Sequence, residues 1–148
     1  MRRLFADTFY WIALLYRRDP WHARVTAFSQ TLTDTDIVWT TDAVFVELLA
    51  ALSAGGAHMR LEAVLLVDEW LNDPGVRVVE ATRSLFLDGL SLYRVRPDKE
   101  YSLTDCMSMQ VMRHEGLTEV LTNDHHFTQG RVSDLHFHSP ICHTHAFF

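Results

Sequence analysis

The chain has 148 residues, 48% of them hydrophobic and 11% aromatic, which supplies one buried core and leaves little room for two independent domains. A formal net charge of −6 excludes a broad electrostatic hold on nucleic acid, because that affinity comes from neutralising phosphates with Lys and Arg. The two cysteines, Cys106 and Cys142, exclude a disulfide framework and favour a reduced, cytoplasmic protein.

Two features of the sequence argue against a membrane-bound or processed protein. No leader with a charged start, an apolar middle and a small-residue cleavage site precedes Asp7. No apolar run approaches the roughly 20 residues that a membrane-spanning helix needs, and the richest stretch, residues 43–52, is interrupted by Glu47. We therefore expect a soluble protein with no membrane partner.

Short β-prone apolar runs alternate along the chain with longer segments that have helical features. Pro20, Gly55-Gly56, Pro74-Gly75 and Gly116 mark starts and ends of helices. In chain order we predict a strand at 4–6, helices at 8–17 and 20–32, a strand at 37–40, helices at 41–54 and 58–72, a strand at 76–79, helices at 82–95 and 102–115, a strand at 120–122 and a weaker strand at 135–137. This alternation predicts an α/β fold with a mostly parallel sheet covered by helices on both faces.

Two aspartates follow strands of the predicted sheet. Asp7 comes directly after the first strand, and Asp124 comes just after the strand at 120–122. Ligands of open α/β sheets sit at the carboxyl ends of the strands, so we expect both side chains at the same edge. Each aspartate could instead simply cap the helix after it, as Asp commonly does.

Two further carboxylates lie on predicted helices. Glu47 is the only charge in the apolar stretch 43–52, which predicts a carboxylate carried into a buried helix, where it needs a partner or a metal. The alternative is a Glu that reaches the surface at an exposed edge. Asp105 lies one turn into the helix that begins at Ser102, so a role in capping that helix competes with a role in the site.

These four acids have no Lys or Arg within two positions to offset their charge. Something cationic must therefore compensate if they meet. Ligation by oxygen alone suits Mg²⁺ or Mn²⁺ and disfavours zinc. Such a site supports phosphodiester hydrolysis, because the metal activates water and stabilises the charge of the transition state.

Four segments carrying these acids resemble the PIN-domain family, and in particular the small VapC-like toxins of bacterial toxin–antitoxin pairs. They are Phe5-Ala6-Asp7-Thr8, the stretch from Thr40 to Leu48, Ser102-Leu103-Thr104-Asp105-Cys106, and Leu121-Thr122-Asn123-Asp124-His125-His126-Phe127. The resemblance implies a five-stranded, mostly parallel sheet sandwiched by helices. It also implies an endoribonuclease in which Asp7, Glu47, Asp105 and Asp124 are the catalytic and metal-binding acids for Mg²⁺ or Mn²⁺.

The same resemblance implies that Thr122 helps to position a water in the site, and that the partners are an RNA substrate, an antitoxin protein and a second copy of the chain. Apolar helix faces around Leu61 and Trp70 are candidates for the homodimer surface. Phe9 departs from the family pattern, since relatives often carry a small or polar residue there. A bulky ring at that position could narrow the site.

The C-terminal segment has no counterpart that we recognise in the family. We therefore expect one PIN-like domain over residues 1–138 and a His-rich tail over 139–148. Histidines and Cys142 in this part of the chain could form a softer site for Zn²⁺ or Ni²⁺. Their spacings match no standard zinc pattern, which favours a frayed terminus.

Other functions remain as alternatives to the toxin. One is a housekeeping PIN-domain nuclease that processes RNA, and another is a PIN-domain interaction module that has lost catalysis. A phosphatase of the haloacid-dehalogenase type needs a second Asp at position 9, where this chain has Phe9. A receiver domain needs a Lys after a late strand, and Lys99 precedes a helix instead.

Overall fold

The computed structural model of the chain describes residues 1–123 together with the backbone of residues 142–144. Its strands are β1 (Arg3–Ala6), β2 (Ile37–Thr41), β3 (Val76–Val79), β4 (Glu119–Leu121) and β5 (Cys142–Thr144). Its α-helices are α1 (Thr8–Leu15), α2 (His22–Ser29), α3 (Asp42–Leu52), α4 (Gly56–Asn72), α5 (Arg83–Val95) and α6 (Leu103–Glu115), with a short 3₁₀ turn, Ser53–Gly55, between α3 and α4.

The strands form one sheet in the order β3-β2-β1-β4-β5. The first four are parallel, and β5 runs antiparallel to β4 at the edge. The α/β class and the five-stranded, mostly parallel sheet are therefore confirmed. Parallel neighbours need crossovers that lie on the faces of the sheet, which is why helices connect β1 to β2, β2 to β3 and β3 to β4.

The fifth strand lies in a part of the chain where none was expected. Cys142–Thr144 pairs with β4, with Thr144 opposite Glu119, although this segment falls in the predicted tail 139–148. The strand predicted at 135–137 and the histidines His136, His138 and His145 of the C-terminal segment lie outside the described residues. The domain boundary at residue 138 stays a prediction.

The helix starts follow from local hydrogen bonding. Asp7, Thr41, Thr82 and Ser102 are the N-caps of α1, α3, α5 and α6, and each accepts a hydrogen bond from a backbone N–H of its helix. At the other end of α6, Gly116 adopts φ 64°, a left-handed conformation that Gly tolerates without steric cost. That turn redirects the chain into β4.

An aromatic cluster fixes α1 against α3 and α4. The rings of Trp11 and Trp70 have centroids 4.4 Å apart, and Phe45 stacks on Trp70 at 6.0 Å. The indole N–H of Trp11 donates to Thr40 Oγ1 at 3.1 Å, and Thr40 in turn donates to the carbonyl of Ala6 at 3.0 Å. These contacts join the start of α1 to the ends of β1 and β2.

The segment Asp42–Asn72 has the length and composition of a membrane-crossing helix, which the sequence reading did not expect. The α-helix is interrupted within this segment, because the 3₁₀ turn Ser53–Gly55 separates α3 from α4 and Gly56 has φ 84°. Each helix also places a stripe of side chains in the core, including Phe45 and Leu48 from α3 and Val67 from α4. Core packing thus accounts for part of the apolar composition, whereas Leu61, Val64 and Leu65 are exposed.

Asp36 ties the start of β1 to the turn before β2. Its carboxylate accepts hydrogen bonds from the backbone N–H groups of Arg2 at 2.6 Å and Thr33 at 3.0 Å, and from the Arg2 guanidinium at 3.3 Å. The Arg2 backbone N–H, followed by that of Thr33, holds the pKa of Asp36 well below its usual range. A lowered pKa means that the folded state favours the ionised form.

We expect the free energy of unfolding to fall with the protonation of Asp36. Its contribution is fully present above the unfolded-state pKa, about 3.9 for Asp, and is lost as the pH falls toward the lower folded-state pKa. Asp36→Asn should therefore flatten the acid side of the stability profile in urea titrations between about pH 6 and about pH 2.5. Asp34→Asn, at an exposed carboxylate in the same turn, is the control. An equal fall in the free energy of unfolding with decreasing pH in Asp36→Asn and in the wild type would contradict this role.

Candidate active site at the carboxyl end of the sheet

Asp7 lies at the carboxyl end of β1 and begins α1. Its side chain is only 9% exposed, and both carboxylate oxygens accept hydrogen bonds. Oδ1 accepts from the backbone N–H of Phe9 at 3.0 Å, and Oδ2 accepts a short bond from the Thr122 hydroxyl. The capping role predicted as an alternative is therefore real. A carboxylate buried in this way is compatible with a further role as a cation ligand.

Thr122 follows β4, the strand beside β1. The parallel pairing of Ala6 with Leu121 brings the next residues of both strands, Asp7 and Thr122, to the same edge of the sheet. The Thr122 side chain is fully buried. The water-positioning role predicted for Thr122 stays a prediction, and its contact with Asp7 places it in the site.

Glu47 reaches the same region from α3. Its Oε2 accepts a hydrogen bond from the Thr8 hydroxyl at 3.0 Å, and Thr8 is the residue next to Asp7. The prediction that Glu47 lies on a helix buried on all sides was wrong. Helix α3 is not buried all round, since Val46 is 68% exposed, and Glu47 is half-buried. The helix carries Glu47 along the boundary between core and solvent.

Asp105 forms the capping box of α6. Its Oδ2 accepts from the backbone N–H of Ser102 at 2.7 Å, while Ser102 Oγ accepts from the backbone N–H of Asp105 at 3.0 Å. Two backbone donors that the helix itself cannot satisfy are thereby paired. The structure thus shows the stabilising role of Asp105 directly, and its role in binding a metal stays a prediction.

The fourth predicted acid, Asp124, lies outside the described residues. Within residues 1–123, no group of three His, Cys, Asp or Glu side chains is arranged to hold a metal ion. The part of the chain that the structure describes therefore links Asp7 with Glu47 through Thr8 and leaves the complete ligand set as a proposal. In the sequence, Asp124 is two residues after Thr122.

The donors that are present suit a hard cation. Asp7 and Glu47 offer carboxylate oxygens, and Thr8 and Thr122 add hydroxyl groups that bond to them. Cys106, the neighbour of Asp105, is fully buried in the core, and this burial raises the pKa of its thiol to about 11. Oxygen donors without thiolate fit Mg²⁺ or Mn²⁺ rather than zinc.

The structure adds two observations at this edge, one on Phe9 and one on Thr8, that the sequence did not predict. The ring of Phe9 packs edge-on against Trp21, with centroids 5.8 Å apart, so part of this departure from the family pattern is explained by packing between α1 and the start of α2. The contact of Thr8 with Glu47 was missed. The only available signal was a hydroxyl residue at the first position of the helix after Asp7.

Comparison with known proteins agrees with this architecture. Residues 4–132 match the model of the PIN domain. The chain is similar to the VapC20 toxin of Mycobacterium tuberculosis, described as cleaving the sarcin-ricin loop, with 25% identity, a TM-score of 0.74, and coverage of 84% of this chain and 92% of that one. No curated protein sequence shows a significant match.

Two further solved structures share the fold at lower identity. A chain of a toxin–antitoxin complex from Klebsiella pneumoniae has 9% identity and a TM-score of 0.58, with coverage of 85% of this chain and 91% of that one. FitAcB from Neisseria gonorrhoeae has 18% identity and a TM-score of 0.54, with coverage of 83% and 88%. Because the family model spans most of the 148 residues, the chain belongs to the PIN domain family.

Proposed function

We propose that this chain is a metal-dependent endoribonuclease and the toxin of a toxin–antitoxin pair. The observation that carries the proposal is the carboxyl edge of β1 and β4, where Asp7 is held between α1 and Thr122 and where Thr8 ties in Glu47. The chain's membership of the PIN domain family and its similarity to the VapC20 toxin support a nuclease. The chain covers 92% of that toxin, so the similarity extends over the whole domain.

The proposed metal is Mg²⁺ or Mn²⁺, with Asp7, Glu47, Asp105 and Asp124 as its ligands. Bound there, the metal would supply Lewis-acid chemistry, which activates water and stabilises charge on a phosphoryl group. The chain itself provides the geometry. The backbone N–H of Phe9 and the Thr122 hydroxyl fix the orientation of the Asp7 carboxylate. A role for Thr122 in positioning a water at this edge is part of the proposal.

The proposed substrate is RNA, by analogy with the sarcin-ricin loop cleaved by the similar toxin. A net charge of −6 means that contacts with phosphate must be local. A cytoplasmic location is proposed on the same grounds.

Two alternative functions can be distinguished from the toxin. A housekeeping RNA-processing nuclease would use the same site, but only the toxin is expected to have a short neighbouring gene that encodes a DNA-binding antitoxin. An inactive PIN module would bind Mn²⁺ weakly or not at all.

The proposed antitoxin would dock in a groove between the end of α1, α2 and the first turns of α4. This groove has a volume of about 1270 Å³ and contains Leu14, Leu65, Arg17 and Arg18 among its lining residues. Leucines beside two arginines suit an amphipathic segment with acidic side chains. The known structures of similar fold include a toxin–antitoxin complex.

The proposed homodimer would use another face of α4. Ala63, Val67 and Trp70 point into the core, so Trp70, named as part of a candidate surface, is a core residue. Leu61, Val64 and Leu71 are 59%, 47% and 50% exposed and lie together on a helix with 3.6 residues per turn. Exposed apolar side chains in one stripe are typical of an interface.

Glu47→Gln tests the metal site. We expect loss of RNA cleavage and a smaller rise in melting temperature with Mn²⁺ than in the wild type, because a ligand that binds the folded state stabilises it. The apo fold should be preserved, since a Gln amide oxygen can still accept the Thr8 hydroxyl. Glu69→Gln, at an exposed position of α4, is the matched control. An equal gain from Mn²⁺ in Glu47→Gln and wild type would remove Glu47 from the ligands.

Asp105→Asn separates capping from catalysis. Loss of the charged part of the capping box should lower the free energy of unfolding by roughly 0.5–1 kcal/mol. As a ligand, Asp105 should also be essential for cleavage, so activity should collapse although most of the protein remains folded. Ser102→Ala removes the other half of the box and serves as the capping control. Full cleavage by Asp105→Asn in Mg²⁺ and in Mn²⁺ would leave at most a three-ligand site of Asp7, Glu47 and Asp124.

The proposed dimer is tested by introducing charged side chains into the exposed apolar stripe of α4. We expect the wild type to sediment as a dimer at micromolar concentration and the double variant Leu61→Glu/Leu71→Glu to sediment as the 17.1 kDa monomer. Leu87→Glu makes the same change at an exposed apolar position of α5 and should remain dimeric. A monomeric wild type would contradict the proposal.

A further inference from the structure

Thr8 is the residue at this edge for which neither the sequence motif nor the comparisons supply a role. It is the first residue of α1, and its hydroxyl crosses to α3 to donate to Glu47 Oε2 at 3.0 Å. The two residues are 39 positions apart in the chain. This hydrogen bond is therefore a tertiary contact, created by the packing of α1 beside α3.

The environment of Glu47 makes this single hydrogen bond important for the orientation of its carboxylate. Among residues 1–123, Thr8 is the only side chain found to donate a hydrogen bond to Glu47, and no Lys, Arg or His forms an ion pair with it. Glu47 has three rotatable side-chain torsions and a half-exposed position, so its carboxylate would otherwise sample several orientations. One donor from a rigid element therefore restricts it.

Thr8 is well suited to impose that orientation. Its β-branched side chain has few χ1 rotamers on a helix, and the preceding residue, Asp7, fixes the first turn of α1 through the Phe9 N–H. The hydroxyl that holds Glu47 is thus attached to the same turn as the Asp7 carboxylate. A change in the position of one carboxylate relative to the other would strain this connection.

From this geometry we propose that Thr8 is a positioning residue, which orients the Glu47 carboxylate toward Asp7 for binding a divalent cation. The inference rests on the proposed function, because it concerns the same metal. A hydrogen-bond partner of a metal ligand raises affinity by fixing the ligand before the metal arrives, and its removal typically costs about 10- to 100-fold in affinity or activity.

The test is a pair of nearly isosteric substitutions in the full-length chain. Thr8→Val removes the donor and keeps the β-branched shape, whereas Thr8→Ser keeps the donor. We expect Thr8→Val to weaken Mn²⁺ binding, measured by calorimetry and by the metal-induced rise in melting temperature, by about 10-fold or more. Thr8→Ser should stay close to wild type. Thr31→Val, which removes an exposed hydroxyl bonded to the Phe28 carbonyl, controls for the loss of a Thr hydroxyl elsewhere.

A double-mutant cycle then shows whether Thr8 affects Mn²⁺ binding through Glu47. If Thr8 acts through Glu47, Thr8→Val should cause a smaller loss of Mn²⁺ affinity in a Glu47→Gln background than in the wild type, because the carboxylate that it positions has been removed. A merely structural Thr8 would lower apo stability and weaken Mn²⁺ binding equally in both backgrounds. Thr8→Ala provides the same comparison if Thr8→Val does not fold.

The possible results separate the two proposals. A wild type that binds Mn²⁺ and cleaves RNA, together with a Thr8→Val variant of unchanged Mn²⁺ affinity, overturns the role of Thr8 and leaves the nuclease intact. Equal losses in the two backgrounds of the cycle overturn it as well. A wild type that neither binds Mn²⁺ nor cleaves RNA overturns both proposals.

Discussion

A carboxylate buried at the end of β1 is the constraint on which this site depends. Asp7 is 9% exposed, and an ionised group so removed from water is tolerated only when its oxygens are well bonded. The N-terminus of α1 and the hydroxyl after β4 supply those bonds. The position of α1 and the register of β4 against β1 are therefore both tied to one side chain.

Threonine hydroxyls carry the other connections around that carboxylate. Thr40 joins the carbonyl of Ala6 to the Trp11 indole, and Thr41 caps α3 through the backbone N–H of Val44. Thr8 extends the network to α3. A hydroxyl both donates and accepts, so short side chains at strand ends can pair buried polar groups without bringing a second charge. The hydroxyl and backbone contacts described for Asp7 and Glu47 therefore bring no cationic side chain to these carboxylates.

Helix α4 shows how one element can serve several purposes. Its buried stripe completes the aromatic cluster around Trp11, which holds α1 in place. Away from that stripe, Leu65 lines the groove with Arg17 and Arg18, and Leu61 and Leu71 are exposed. The apolar composition that gives Asp42–Asn72 membrane-like hydropathy is thus shared between buried and exposed side chains.

The sequence by itself determined the α/β class, the four parallel strands to within a residue or two, and the capping of α6 by Ser102 and Asp105. These features depend on local patterns, namely apolar runs, turn residues and spacing along a helix. It also placed Asp7 at a strand end, because the residue after a buried strand can be identified from the chain alone.

Only the tertiary structure decided the contacts between distant segments. The exposure of Val46 depends on which face of α3 meets the sheet, and the pairing of Cys142–Thr144 with β4 depends on an edge left open by the other strands. The bond from Thr8 to Glu47 joins residues 39 positions apart in the chain and exists because α1 and α3 pack side by side. Local propensity cannot predict such contacts, since packing of the whole domain sets them.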